Sequence, residues 1–160
     1  MAITQKSSFT SSNLATQPRL MQLTKHTDYA FRILLYLLAL PKNERTTINV
    51  IVERYGISKS HVMKIVNKLA ASGLVNATRG KSGGLMLGKP ADKIKLDEVV
   101  KLMETSLQPV NCSELNCILD RHCKLQTHLR DAANAFTDSL SKVSLMDLSS
   151  NNTFTILKRD

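Results

Sequence analysis

From Arg54 to Ala91 the chain carries seven Lys or Arg residues and no acid. This stretch restricts the fold more than any other, because its segments read as short helix, glycine turn, second helix and glycine hairpin. The apolar run Ile48–Tyr55 predicts the first helix, Gly56-Ile57 turns the chain, and Ser58 stands where an N-cap belongs. In the helix that follows, KSHVMKIVNKLAAS, residues Val62, Ile65, Val66 and Leu69 recur on one face. Lys59, Ser60, His61, Lys64, Asn67 and Lys68 fall on the other face. Two helices joined this way, the second with a basic polar face, form the helix-turn-helix pattern. A plain helical hairpin would mix charge signs on its solvated face for solubility, and here acids are absent.

Gly73 ends the second helix. Leu74–Thr78 and Leu85–Leu87 read as two short strands around the tip RGKSGG. The tip is not a phosphate loop, since a Walker A motif needs glycine where Val75 stands. A glycine hairpin bearing Arg79 and Lys81, directly after a recognition helix, reads instead as a wing against a phosphate strand or minor groove. The DNA-contacting set expected on this reading is Ser58, Lys59, Ser60, His61, Lys64 and Lys68, with Arg79 and Lys81 from the wing.

The charge distribution agrees. Of a formal +9 over 160 residues, positions 1–105 hold 16 Lys+Arg against 7 Asp+Glu, while 106–160 hold 6 of each. An excess localised in this way points to a polyanionic partner. Residues 1–20 are Ser/Thr-rich, free of acids and without periodicity, and read as a disordered tail, with Met21 opening the fold. Ala30, Ile33, Leu34, Leu37 and Leu38 then follow a helical template, with Leu35, Tyr36 and Leu40 widening the stripe. Pro41 stops that helix well short of the roughly 20 residues a bilayer span requires, so no membrane partner and a cytoplasmic location are expected. Thr24 or Thr27 can cap its start.

Ile94–Thr105 predicts a further amphipathic helix, with Asp97 and Glu98 in its acid-favouring first turn. After Cys123 a long helix begins, on which Leu125, Leu129, Ala132, Phe136, Leu140 and Val143 step by four or three, a seam of coiled-coil type. A second subunit is the simplest cover for it, and operator-binding helix-turn-helix proteins are usually two-fold dimers. The fold class expected is therefore mainly α: a winged helix-turn-helix DNA-binding domain with a long C-terminal dimerisation helix. Its divisions are a tail at 1–20, the DNA-binding domain at 21–105, a cysteine loop at 106–124, the dimerisation helix at 125–148 and a flexible tail at 149–160. No nucleophile–base–acid set is legible among the four histidines and the carboxylates, which argues against an enzyme.

The cysteines carry the remaining chemistry. Cys112, Cys117 and Cys123, spaced C-x4-C-x5-C with His122 beside the last, are the only three thiols of the chain. They suit zinc or an iron–sulfur cluster, and unrelated thiols or one disulfide with a thiol left over remain the plain alternatives. The two-residue gap of zinc pairs is missing, which favours iron–sulfur. A zinc-dependent regulator with His122 or His128 as fourth ligand is the competing reading.

The segments MQLTKHTDYAFRILLYL, GISKSHVMKIVNKL, RGKSGGLMLGKP and VNCSELNCILDRHC resemble the Rrf-type winged-helix repressors over about Met21 to Leu148. Within that family the cysteine spacing resembles the nitric-oxide-sensing NsrR type more than the IscR type. The resemblance implies a homodimeric repressor of a double-stranded DNA operator. It further implies a cluster, [4Fe–4S] with [2Fe–2S] as the alternative, on Cys112, Cys117 and Cys123, and nitric oxide as the signal that releases DNA. It also implies an acid at Asp28 as fourth ligand, reaching the partner subunit's cluster. His128 and His122 are the in-chain candidates for that place. An IscR-like sensor of iron–sulfur status is the alternative function.

Overall fold

The computed structural model describes residues 22–80, 83–110, 117, 119 and 122–149. The expectations at Cys112 and Lys81, and those for the N-terminal tail and for residues past 149, lie outside the described residues. Five α-helices are present among them: α1 Lys25–Ala39, α2 Ile48–Tyr55, α3 Lys59–Ala71, α4 Leu96–Met103 and α5 Lys124–Ser141. The strands β1 Val75–Thr78 and β2 Gly84–Leu87 form an antiparallel pair in which Val75 faces Leu87 and Ala77 faces Leu85.

The apolar stripes fold as their spacing dictates. Ala30, Ile33, Leu34 and Leu37 of α1 meet Val62, Ile65, Val66 and Leu69 of α3 and Val99 and Met103 of α4 in one core. Ile33, Ile65 and Leu69 are at most 1% exposed, so shortening any of them removes packing that nothing else restores. Gly56 closes α2 at φ +62°, a left-handed conformation that lets the chain turn sharply into α3. Farther on, Gly88 passes so close to the backbone carbonyl of Gly73 that a Cβ would lie 2.2 Å from its oxygen. The end of the wing is thereby fastened to the end of α3.

Three features depart from the sequence expectation. Neither Thr24 nor Thr27 caps α1 with its own side chain. Glu104, just past α4, does so instead, accepting from the Thr24 amide at 2.8 Å, from the Thr24 hydroxyl at 3.0 Å and from the Thr27 hydroxyl. The Thr27 side chain is buried and could not turn outward to cap. Second, Thr46, expected in a polar loop, pairs with Leu85 through amide–carbonyl bonds of 3.1 and 2.8 Å and adds an outer rung to the wing. Third, α5 ends at Ser141, short of the expected end at Leu148. Leu145 is fully buried in the core of the winged domain, and Ser144 bridges Lys95. A continuous helix would carry Leu145 away from that core, so the chain folds back into a 3₁₀ turn at Met146–Leu148. Asp147 accepts bonds from the Ser144 amide and hydroxyl there, and these hold its carboxyl below the usual carboxylate range. Among the described residues no helix is long and apolar enough to cross a membrane.

Candidate nucleic-acid interface and metal site

With Val62, Ile65, Val66 and Leu69 facing the core, the outward line of α3 follows from its turn of about 100° per residue. Ser60, Lys64, Asn67 and Ala71 point directly away from the core. Lys59 and Met63 lean towards the wing, and His61 and Lys68 towards α1. Lys59, Ser60, His61, Lys64, Asn67 and Lys68 are all exposed, as are Ser58 and Arg79. The expected DNA set, apart from Lys81, is thus brought to one side of the molecule.

A groove runs along each flank of α3. The wing-side groove, about 590 Å³, has Lys59, Met63 and Asn67 on one wall and Thr78, Arg79 and Gly80 on the other. The other, about 320 Å³, is lined by His26, Lys64, Asn67 and Lys68. No acid lines either groove. Among the described residues Lys59, Lys64, Lys68 and Arg79 form no ion pair. Asp28, Glu98, Asp92 and Asp97 pair with Arg32, Lys89, Lys93 and Lys101, all away from this face. The face is left net cationic, as a phosphate-binding surface requires.

Individual side chains refine the expected set. The Ser58 hydroxyl makes no cap to α3 and lies 3.2 Å from the Ser60 hydroxyl. His61 packs edge-on against His26, with ring centroids 5.7 Å apart, which anchors it to the first turn of α1. Two residues outside the expected set lie beside it. Arg45 donates to the Thr78 hydroxyl at 3.1 Å and so stands at the base of the wing. Its loop gave no helical or strand signal, and only the pairing of Thr46 with β2 brings it there. Met63, an apolar residue 44% exposed, also faces the wing-side groove.

The cysteine segment joins α4 to α5. Cys117 and Cys123 are half-buried free thiols on either side of a turn closed by the His122 amide donating to the Leu119 carbonyl at 3.0 Å. Cys123 immediately precedes α5. His122 and His128 are exposed. Asp28, in the first turn of α1, receives both arms of Arg32, Nε to Oδ1 at 3.0 Å and Nη2 to Oδ2 at 2.9 Å. That hydrogen bond and the charge of Asp28 raise the Arg32 pKa above its ordinary value. Among the described residues, no group of three or more His, Cys, Asp or Glu side chains is assembled into a metal site. Among the described residues Cys117, Cys123 and the neighbouring His122 thus share one short segment without forming a ligand cluster with Asp28 or His128.

Helix-turn-helix, two-stranded wing and an acid-free cationic face define a winged-helix DNA-binding regulator. Residues 23–151 match the Rrf2 family, described as an iron-dependent transcriptional regulator, and the chain belongs to that family. It is accordingly a transcription regulator that binds DNA, not an enzyme. The fold is similar to that of CymR (YrzC), the global cysteine regulator of B. subtilis. The two share 22% identity and a TM-score of 0.66 over 81% of this chain and 96% of that one. IscR of T. potens is similar at 19% identity and a TM-score of 0.64, over 80% of this chain and 85% of that one. The oxidized form of Staphylococcus aureus CymR gives 21% identity and a TM-score of 0.59, over 82% and 99%.

Proposed function

We propose that the chain is a cytoplasmic, homodimeric repressor that holds an iron–sulfur cluster, [4Fe–4S] in preference to [2Fe–2S], and releases its operator in response to nitric oxide. The division of labour is that read from the sequence: residues 21–105 bind DNA, 106–124 carry the cluster and the helix within 125–148 joins the subunits. The observation that carries the proposal is the placement of all three thiols between α4 and α5, directly after the DNA-binding unit. Their chemistry fits the group. Cys117 and Cys123 are unpaired and half-buried, Cys112 completes the three, and thiolates are the ordinary ligands of iron–sulfur centres. When bound, the cluster supplies thiolate-ligated iron, with which nitric oxide reacts avidly.

The chain's own residues supply the rest. Ser58, Lys59, Ser60, His61, Lys64 and Lys68 lie along the operator, and Arg79 and Lys81 hold the wing to its backbone. Asp28 is the fourth ligand, given to the partner subunit's cluster, and must leave Arg32 to take that role. A carboxylate oxygen is a weak ligand for such iron, which leaves one flank open to attack. Ligation across the dimer would tie the cluster of one chain to α1, and so to α3, of the other. A few kcal/mol of differential stability then shifts operator occupancy widely.

Anaerobic purification with absorbance, iron and sulfide analysis tests the proposal. A brown protein with iron and sulfide is expected, colourless in Cys112→Ala, Cys117→Ala and Cys123→Ala variants that remain folded. A colourless zinc protein whose Cys117→Ala variant unfolds would instead place a structural zinc site here. For the fourth ligand, Asp28→Ala is compared with His128→Ala and His122→Ala. A spectral change confined to a histidine variant removes Asp28 from the site.

A further inference from the structure

We infer that Asn67 is the side chain by which α3 reads an adenine base in the operator, and that its role is to discriminate rather than to grip the backbone. The inference rests on α3 entering the major groove. Asn67 stands on the outward ridge of α3, opposite the buried line of Val62, Ile65, Val66 and Leu69, and it alone lines the grooves on both flanks of the helix. A residue in that place meets the floor of the DNA groove while its neighbours on either side meet the walls. Among the described residues nothing hydrogen-bonds the Asn67 carboxamide. Its donor and acceptor are therefore both available to a ligand.

The neighbouring side chains cannot do the same work. Lys64 and Lys68 are flexible cations that the phosphates attract wherever the sequence places them. Ser60 accepts and donates to any base, and Met63 and Ala71 have no hydrogen bond to offer. A carboxamide presents an acceptor and a donor side by side, the complement of the N6 amino group and N7 of adenine in the major groove. Being uncharged, Asn67 releases no counterion on binding. Its loss should therefore leave the electrostatic part of affinity intact.

The test is selection of binding sites from random-sequence duplexes by the anaerobically purified full chain, as wild type and as Asn67→Ala. Affinities for the selected sites are then measured over a range of salt. Wild type is expected to enrich an adenine at one position in each half-site. Asn67→Ala should lose that preference by roughly tenfold while keeping the bases at other positions and the salt slope. An Asn67→Ala protein with the wild-type base preferences overturns the inference. So does one whose affinity falls evenly over all sequences with a salt slope lower by about one, which would make Asn67 a backbone contact. Lys64→Ala, measured beside it, separates the two claims. If its salt slope matches wild type, the face itself is misassigned and both fall. If its slope drops while Asn67→Ala keeps the adenine, only the reading of Asn67 fails.

Discussion

Helices α3 and α5 are built from the same periodicity and put it to opposite uses. On α3 the apolar line is buried and the charges face out. On α5, eighteen residues long, no side chain is buried, and Leu125 at the head of its apolar line is 63% exposed. Leu129, Phe136 and Leu140 along the same line are only half-covered. A stripe of that length and exposure asks for a partner, whereas the stripe on α3 has found one within the chain. On the proposed reading the polar face of α3 is the one that works, and on α5 the apolar face is. Which face of a helix works cannot be read from periodicity alone, because it depends on what the rest of the chain covers.

The largest effect expected from breaking this contrast is in the core. Leu69→Ala or Ile65→Ala should lower unfolding free energy by about 2–5 kcal/mol, measured by denaturant titration. A mutant series that costs nothing there would mean α3 is not held by its buried line. Phe136→Ser on α5 should leave the helical circular dichroism intact while weakening the dimer at least tenfold, about 1.4 kcal/mol, in sedimentation experiments. If the chain is already a monomer at micromolar concentration, the seam has some other cover.

Both stripes were legible in the sequence because each is a long run at helical spacing, and the wing was legible from its glycines. What remained hidden depends on contacts between distant segments. Nothing near Thr24 indicates that Glu104, 80 positions on, caps α1. Thr46 joins β2 by backbone bonds to which its side chain type is indifferent, and Arg45 is carried to the wing with it. Leu145 reads as one more residue after an amphipathic helix until its burial in the winged domain shows why α5 stops. The cysteine spacing suggested a shared chemistry, and the fourth group proposed for it, Asp28 of a second chain, is not something spacing can indicate.

Smaller effects sharpen the polar side of the comparison. Lys64→Ala should weaken DNA binding and reduce the slope of log affinity against log salt by about one. An unchanged slope in Lys64→Ala would remove the α3 face from the interface. The smallest effect concerns the Glu104 cap. Burial alone would raise its pKa, but bonds from Thr27 and Thr24 outweigh that and lower it from the ordinary 4.5. A carboxylate depressed on folding contributes stability above its unfolded pKa and loses it as pH falls through the depressed folded value. Glu104→Gln should therefore cost about 1 kcal/mol at neutral pH, the scale of a helix cap, and flatten the acid limb of the stability curve below about pH 4.5. An unchanged acid limb would show that the cap is idle in solution.

The claim that joins the two regions is that the cysteine segment governs the face of α3. Operator affinity of the anaerobically purified protein, followed as nitric oxide is added in steps, tests it most directly, with Cys117→Ala alongside. The account predicts tight binding by wild type that collapses as nitric oxide is added, and weak binding by Cys117→Ala that nitric oxide does not alter. Equal affinities for the two proteins, unchanged at every addition, would contradict it.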